Sequence, residues 1–253
     1  MNRRAGCVQK KDLAVLVLCT TFLLSALGAV GEGGRNRARE FACRSNVKQL
    51  SGAWLKYAED HGGELVGGNA SPGGWVNQPA YAYTTEQKLD AIRTGLLFSY
   101  VGDVRVYRCP AQEKQEDSRQ FGLRSYSIAG GANGEIWSAY VRITKHSELD
   151  NPAARYVFVE EPDPRQALRG SWQMYLNPKS WVDPVGMWHD TKSTLGFADG
   201  HVETHAWHDR SFIEWNLKAM YPSVTFFYGM TPPADEQNDI DYMARGYPYK
   251  ALR

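Results

Sequence analysis

Leu13–Gly31, LAVLVLCTTFLLSALGAVG, runs 19 residues without a charge, and the preceding MNRRAGCVQKK holds four basic residues and no acidic one. As a helix rising 1.5 Å per residue, such a run nearly matches a bilayer core about 30 Å thick. The basic flank keeps its own end in the cytoplasm and sends the rest across. The expected layout is therefore a basic leader over 1–12, a transmembrane helix over 13–31, and a single-pass protein of the inner membrane with its bulk on the extracytoplasmic side. A signal peptide cleaved near Ala29 is the competing reading. Its usual apolar region of about 7–15 residues is shorter than this run. Cys19 follows Leu18, which is not small, and this argues against lipidation there.

Composition narrows the rest. Twenty-nine basic residues face 28 acidic ones, for a net charge of +1, which gives no electrostatic footprint for nucleic acid. Forty-three per cent apolar residues suffice for a core, and 24 glycines with 14 tyrosines and eight tryptophans point to short strands and turns. Between the Gly-rich GEGG and Gly62-Gly63, the positions Cys43, Val47, Leu50, Trp54 and Tyr57 step by four and three, which predicts an amphipathic helix with one packing stripe. The glycines at 28, 31, 33 and 34 predict a break between this helix and the apolar one.

That order of elements resembles the type IV pilin-like proteins, and in particular those carrying a prepilin-type H-X9-DG element. His189 is followed by nine residues and then Asp199-Gly200, within FADGHVE. CRSNVKQLSGAWLKYAEDHGG is similar to the family's leading helix, VYRCPAQ to its Cys-Pro element, SYSIAGG to its Ser-Tyr strand, and LDNPAARYVFVEE to the strand before the histidine. The chain departs from the family at its start. Instead of a Gly-Phe-Thr-Leu-Ile-Glu opening it has GCVQKKDLAVLV, with Gly6 too far from the apolar run and Asp12 only a distant stand-in for the Glu. The resemblance implies a pilin-like α+β fold, with the amphipathic helix packed on an antiparallel sheet in an exported domain over 32–230. It also implies a structural role in a secretion or pilus-type envelope assembly, with other pilin-like subunits as partners and His189, Asp199 and Gly200 as a structural signature.

Cys7 and Cys19 precede or lie within the apolar run, so Cys43 and Cys109 are the pair expected to bridge in an oxidising compartment; buried thiols are the alternative. Closing so long a loop would constrain the unfolded chain by about 4 kcal/mol. No G-x-S-x-G, Walker loop, paired CxxC or HExxH occurs, and neither enzyme activity nor a cofactor is expected. Glu160 and Glu161 read as residues that solvate a strand end. TLGFADGHVETHA reads as a hairpin with Asp199-Gly200 in a two-residue type I′ turn. On its return strand His201, Glu203 and His205 share a face, a conceivable zinc set with His208 or Asp209 nearby, but one that reads more simply as a polar, solvent-facing surface. The rival function is a secreted module stacking glycans on exposed Trp172, Trp181 and Trp188. Residues 231–253 read as a loosely held polar tail.

Overall fold

The computed structural model describes residues 10–77, 84–112, 123–135, 140–162, 170–220 and 229–251. Residues 1–9 of the leader, with Cys7, lie outside them. The chain divides into two units, Met1–Arg39 and Glu40–Arg253.

Helix α1 spans Lys10–Asp60 without a break. The interruption expected at the glycines does not occur. A glycine costs a helix only about 1 kcal/mol relative to alanine, and no proline stands among them to remove a backbone donor. In the first unit Leu13, Val15, Leu16, Phe22 and Leu24 are exposed. The side chains of 26–30 lie outside the described residues, and among the described residues no helix is long and apolar enough to cross a membrane. At the other end α1 stops where the sequence predicts, with Gly62 at φ 63° and Gly63 at φ 88°, and the Gly63 N–H donating to the Ala58 carbonyl at 2.7 Å.

The second unit is a mixed α+β structure. After α1 come β1 (Gly67–Ala70), β2 (Gly74–Val76), α2 (Thr85–Arg93), α3 (Phe98–Val101), β3 (Tyr126–Ala129), β4 (Tyr140–Val141) and β5 (Tyr156–Glu160). Then follow β6 (Ser171–Trp172), β7 (Met174–Leu176), β8 (Lys179–Trp181), β9 (Lys192–Phe197), β10 (Val202–Ala206), α4 (Arg210–Ala219), α5 (Asn238–Gly246) and β11 (Lys250–Ala251). The main sheet has the order β10-β9-β5-β3-β6, antiparallel except for the parallel β3–β6 pair.

Each face of this sheet carries a core. On one face the α1 stripe Cys43, Val47, Leu50 and Trp54, fully buried as its spacing predicts, packs with Tyr126, Ile128 and Phe158. Helix and sheet approach closely because β9 carries Gly196 there: a Cβ at that position would stand 2.3 Å from Ser51 Oγ and 2.7 Å from Val47 Cγ1. The opposite face buries Val159, Leu195, Phe197 and Trp172 with Trp181, Trp207 and Phe212.

The C-terminal segment is part of that second core, which corrects the expectation of a loose tail. Ile240, Met243 and Tyr247 recur at helical spacing and are fully buried, and β11 pairs antiparallel with β4. A reciprocal pair of carboxylates ties α5 to the start of α4. Asp239 accepts from the backbone N–H groups of His208 and Asp209 at 2.9 and 2.8 Å, while Asp209 accepts from the Asp239 N–H at 2.8 Å.

The hairpin β9–β10 forms, with Leu195 and Phe197 on one face and Val202 on the other, but its turn differs. The connection has three residues, Ala198, Asp199 and Gly200, closed by Gly200 N–H to the Phe197 carbonyl and Phe197 N–H to the His201 carbonyl, both 2.9 Å. Only Gly200 has positive φ, at 85°, as in a type I turn followed by a left-handed glycine. Asp199 is freed to use its side chain, accepting from the His201 N–H at 3.0 Å. The turn seats on α1 through Lys48 Nζ, which donates to the Gly200 carbonyl at 2.6 Å.

Candidate functional site

Where α1 crosses the sheet, strand register gathers polar groups into a row. Tyr126 on β3 pairs with Glu160 on β5, and Val159 beside it pairs with Leu195, which brings Thr194 of β9 to the other flank of Glu160. Alternation along the strands turns Tyr126, Glu160 and Thr194 to the α1 side. Cys43 lies above this row. Its Sγ is 2.8 Å from Glu160 Oε1, 3.2 Å from Tyr126 Oη and 3.6 Å from Thr194 Oγ1.

Two further segments close the site. Cys109 follows the short 3-10 helix Val104–Tyr107, and its N–H donates to Ser125 Oγ at 2.8 Å. His189 precedes β9, on a turn that puts Asp190 and Thr191 at φ 52° and 58°. His189 Nε2 is 3.3 Å from Cys109 Sγ and 3.5 Å from Glu160 Oε1. One donor atom from each of Cys43, Cys109, Glu160 and His189 lies within 4.8 Å of all the others. All four residues are buried, and Glu160 is fully so. The second carboxylate oxygen of Glu160 accepts the Thr194 N–H at 2.8 Å, which fixes the carboxylate's orientation. An open cleft lined in part by Asn46, Arg108, Cys109 and Pro110 abuts the group.

Burial governs the titration of these groups. It pushes the Cys43 thiol well above its ordinary value, and the neighbouring Cys109 and Glu160 add to the effect. Cys109 is raised by burial, and Tyr126 is raised well above the phenol range by burial and by the charges around it. Burial works to lower His189, but hydrogen bonding to Cys43 and Glu160 outweighs it and carries its pKa up to about 10. Burial thus favours neutral thiols at Cys43 and Cys109, beside a protonated His189. To a cation the cluster offers two sulfurs, an imidazole and a carboxylate, donors suited to a borderline divalent metal.

The positions singled out from sequence divide sharply. Cys43 and Cys109 meet, but as free thiols rather than a bridge, because their sulfurs are directed to Glu160 and His189. His189 contacts a carboxylate, that of Glu160. Glu160 and Glu161 do not solvate a strand end, since β5 is the middle strand and both are buried under neighbouring elements.

His201, Glu203 and His205 do not converge. His201 Nδ1 is 2.5 Å from Asp199 Oδ1, and its Nε2 is 3.4 Å from Glu203. His205 turns away to stack on Tyr242 of α5 at 3.8 Å between centroids. The end of that strand face is covered, not solvent-facing. His208 and Asp209 are held through the carboxylate exchange with α5, and Asp199 and Gly200 sit at the turn, away from the cluster's donor atoms. Among the described residues, the group around Glu160 is the one set of His, Cys and acidic side chains with metal-binding proximity. Sequence reasoning missed it because its members stand 66, 51 and 29 residues apart. The signals available were the expected meeting of Cys43 with Cys109 and an acidic residue ending the apolar run VFVE.

Comparison of the chain with models of known protein families, with curated proteins and with solved structures yields no match.

Proposed function

We propose that this chain is a membrane-anchored, pilin-like structural subunit of a secretion or pilus-type envelope assembly, working by packing rather than by catalysis. The observation that carries this reading is the contrast within α1. Its residues Cys43–Trp54 bury one stripe under a sheet, whereas the large apolar side chains from Leu13 to Leu24 are exposed. An apolar face of that kind calls for a bilayer or the helices of neighbouring subunits as its environment. Its polar side chains suit such surroundings. Thr20, Thr21 and Ser25 donate their hydroxyls back to the carbonyls of Leu16, Val17 and Phe22 at 2.8–3.0 Å, so none enters an apolar medium unpaired. The basic leader orients the exported domain outward.

The rival reading, a secreted glycan-binding module, needs exposed aromatic platforms. Trp172 and Trp181 are buried in the second core and Trp188 is half-buried, which weighs against it. Fractionation of the native protein with mass determination of its amino terminus is the test. An intact start in the membrane fraction supports the anchor, and a start at Cys7 adds prepilin-type processing. A soluble protein starting near Ala29 overturns the proposal in favour of secretion.

A further inference from the structure

We propose that Cys43, Cys109, Glu160 and His189 form a structural zinc site that clamps α1 to the sheet. The inference stands apart from the assembly role and fails separately from it.

Donor type and spacing support zinc. A tetrahedral ion bonded at 2.0–2.3 Å holds its ligand atoms about 3.3–3.8 Å from one another. The Cys109–His189 and His189–Glu160 separations, 3.3 and 3.5 Å, fall in that range, and the Cys43–Glu160 contact of 2.8 Å is a thiol hydrogen bond that widens when the proton is replaced by metal. No two of the four donor atoms lie more than 4.8 Å apart, so the set need contract by no more than roughly an ångström, within reach of rotamer adjustment. Four protein ligands leave no open position, which is the arrangement of a structural site rather than a catalytic one.

The surroundings are also those of a metal site. Glu160 is oriented by the Thr194 N–H, and a fixed second partner of this kind is what holds a ligating carboxylate in place. On binding, zinc replaces the thiol protons of Cys43 and Cys109, which leave to solvent, and no redox change is involved. A disulfide would use only the two sulfurs and leave Glu160 and His189 converging on the same point for no structural purpose.

The site joins four segments at one point: the second half of α1, the Cys109 turn, the end of β5 and the turn before β9. Zinc here fastens the helix to three parts of the domain at once.

The test uses the full-length chain, purified in detergent without a His-tag or chelator. Elemental analysis is expected to find about one zinc per chain, released when a mercurial caps the thiols. Chelation should lower the melting temperature by about 10 °C, with zinc restoring it. Cys109→Ser and Glu160→Gln should each lose the metal, while His201→Ala and His205→Ala keep it. Should the site variants fail to fold, cobalt added to the chelated wild-type chain reads the site directly, since cysteine ligation gives sulfur-to-cobalt charge transfer and tetrahedral visible bands. Three results overturn the proposal: no zinc and no cobalt spectrum, a Cys43–Cys109 disulfide that leaves neither of these two thiols open to alkylation after denaturation, or zinc that persists in the Cys109→Ser and Glu160→Gln variants.

Discussion

Gly196→Ala tests how closely α1 must lie on the sheet. The added methyl would stand 2.3 Å from Ser51 Oγ, 2.7 Å from Val47 Cγ1 and 3.3 Å from Phe158 Cβ. The first two contacts must each open by roughly an ångström to reach ordinary separations. Ser51 can turn its hydroxyl away, but Val47 is β-branched and stiff in a helix, so the helix itself must lift. Overpacking of this kind costs about 1–3 kcal/mol, against which alanine gains about 0.4–1 kcal/mol by restricting the unfolded chain. A net destabilisation of about 1–2 kcal/mol follows, read as a lower urea midpoint by tryptophan fluorescence. Val47→Ala should relieve the clash, so that the double variant is more stable than the sum of the single changes by at least about 1 kcal/mol. Cys43 lies one turn before Val47, so the lifted helix should also make its thiol react faster with a small alkylating reagent. A neutral or stabilising Gly196→Ala, with no coupling to Val47, would show that the helix–sheet spacing is not set by the missing side chain.

Gly200→Val is expected to cost about 2–4 kcal/mol, since a β-branched residue at φ 85° is strained and its Cβ would meet Leu55 Cδ1 at 2.9 Å. Gly200→Asn, which tolerates that conformation, should cost clearly less in the same denaturation assay. His205→Ala should cost about 1–2 kcal/mol through its stack on Tyr242, and His201→Ala about 0.5 kcal/mol; equal effects would contradict the placement of α5 over the strand. The ion pair with Lys250 and the backbone N–H groups of Thr144 and Lys145 hold Glu148 at a pKa of about 2. Its folded value lies below the unfolded one, so its contribution is complete above about pH 4.5 and is lost as pH falls towards about 2. The pair is partly exposed, so Glu148→Gln should cost under about 1 kcal/mol at neutral pH, and urea midpoints of variant and wild type should merge near pH 2.

What was legible in the sequence was local. The stripe from Cys43 to Trp54 is a periodic signal, and its burial follows from amphipathicity alone. Gly62 and Gly63 end α1 and Gly200 turns the hairpin because positive φ selects glycine within a few residues of context. The turn type was misread because Asp-Gly suits both a two-residue loop and the last two positions of a three-residue one, and the choice depends on which residues pair across the strands. The tail was misread because its opening TPPADEQND is Pro-led and polar, while Ile240, Met243 and Tyr247, which follow it, supply the packing. Each site residue was visible by type. Their meeting was not, since strand order places β5 between β9 and β3, and nothing short of the sheet's topology brings Glu160 beneath Cys43.

The closure of the second core by α5 and β11 has a consequence for how the chain is made. Tyr247 is fully buried and sits at the centre of a hydroxyl cluster, donating to Gln173 Oε1 at 3.2 Å, sharing a 2.9 Å bond with Tyr140 and accepting from the Gly131 N–H at 3.1 Å. These partners precede Tyr247 by 74, 107 and 116 residues, so they are synthesised well before the contact that joins them. During synthesis the sheet therefore emerges with Trp172 and Trp181 uncovered on one face, and native packing there must await Ile240, Met243 and Tyr247. Until then the intermediate is adhesive, and a chain truncated before Asn238 should aggregate rather than fold as a shortened domain.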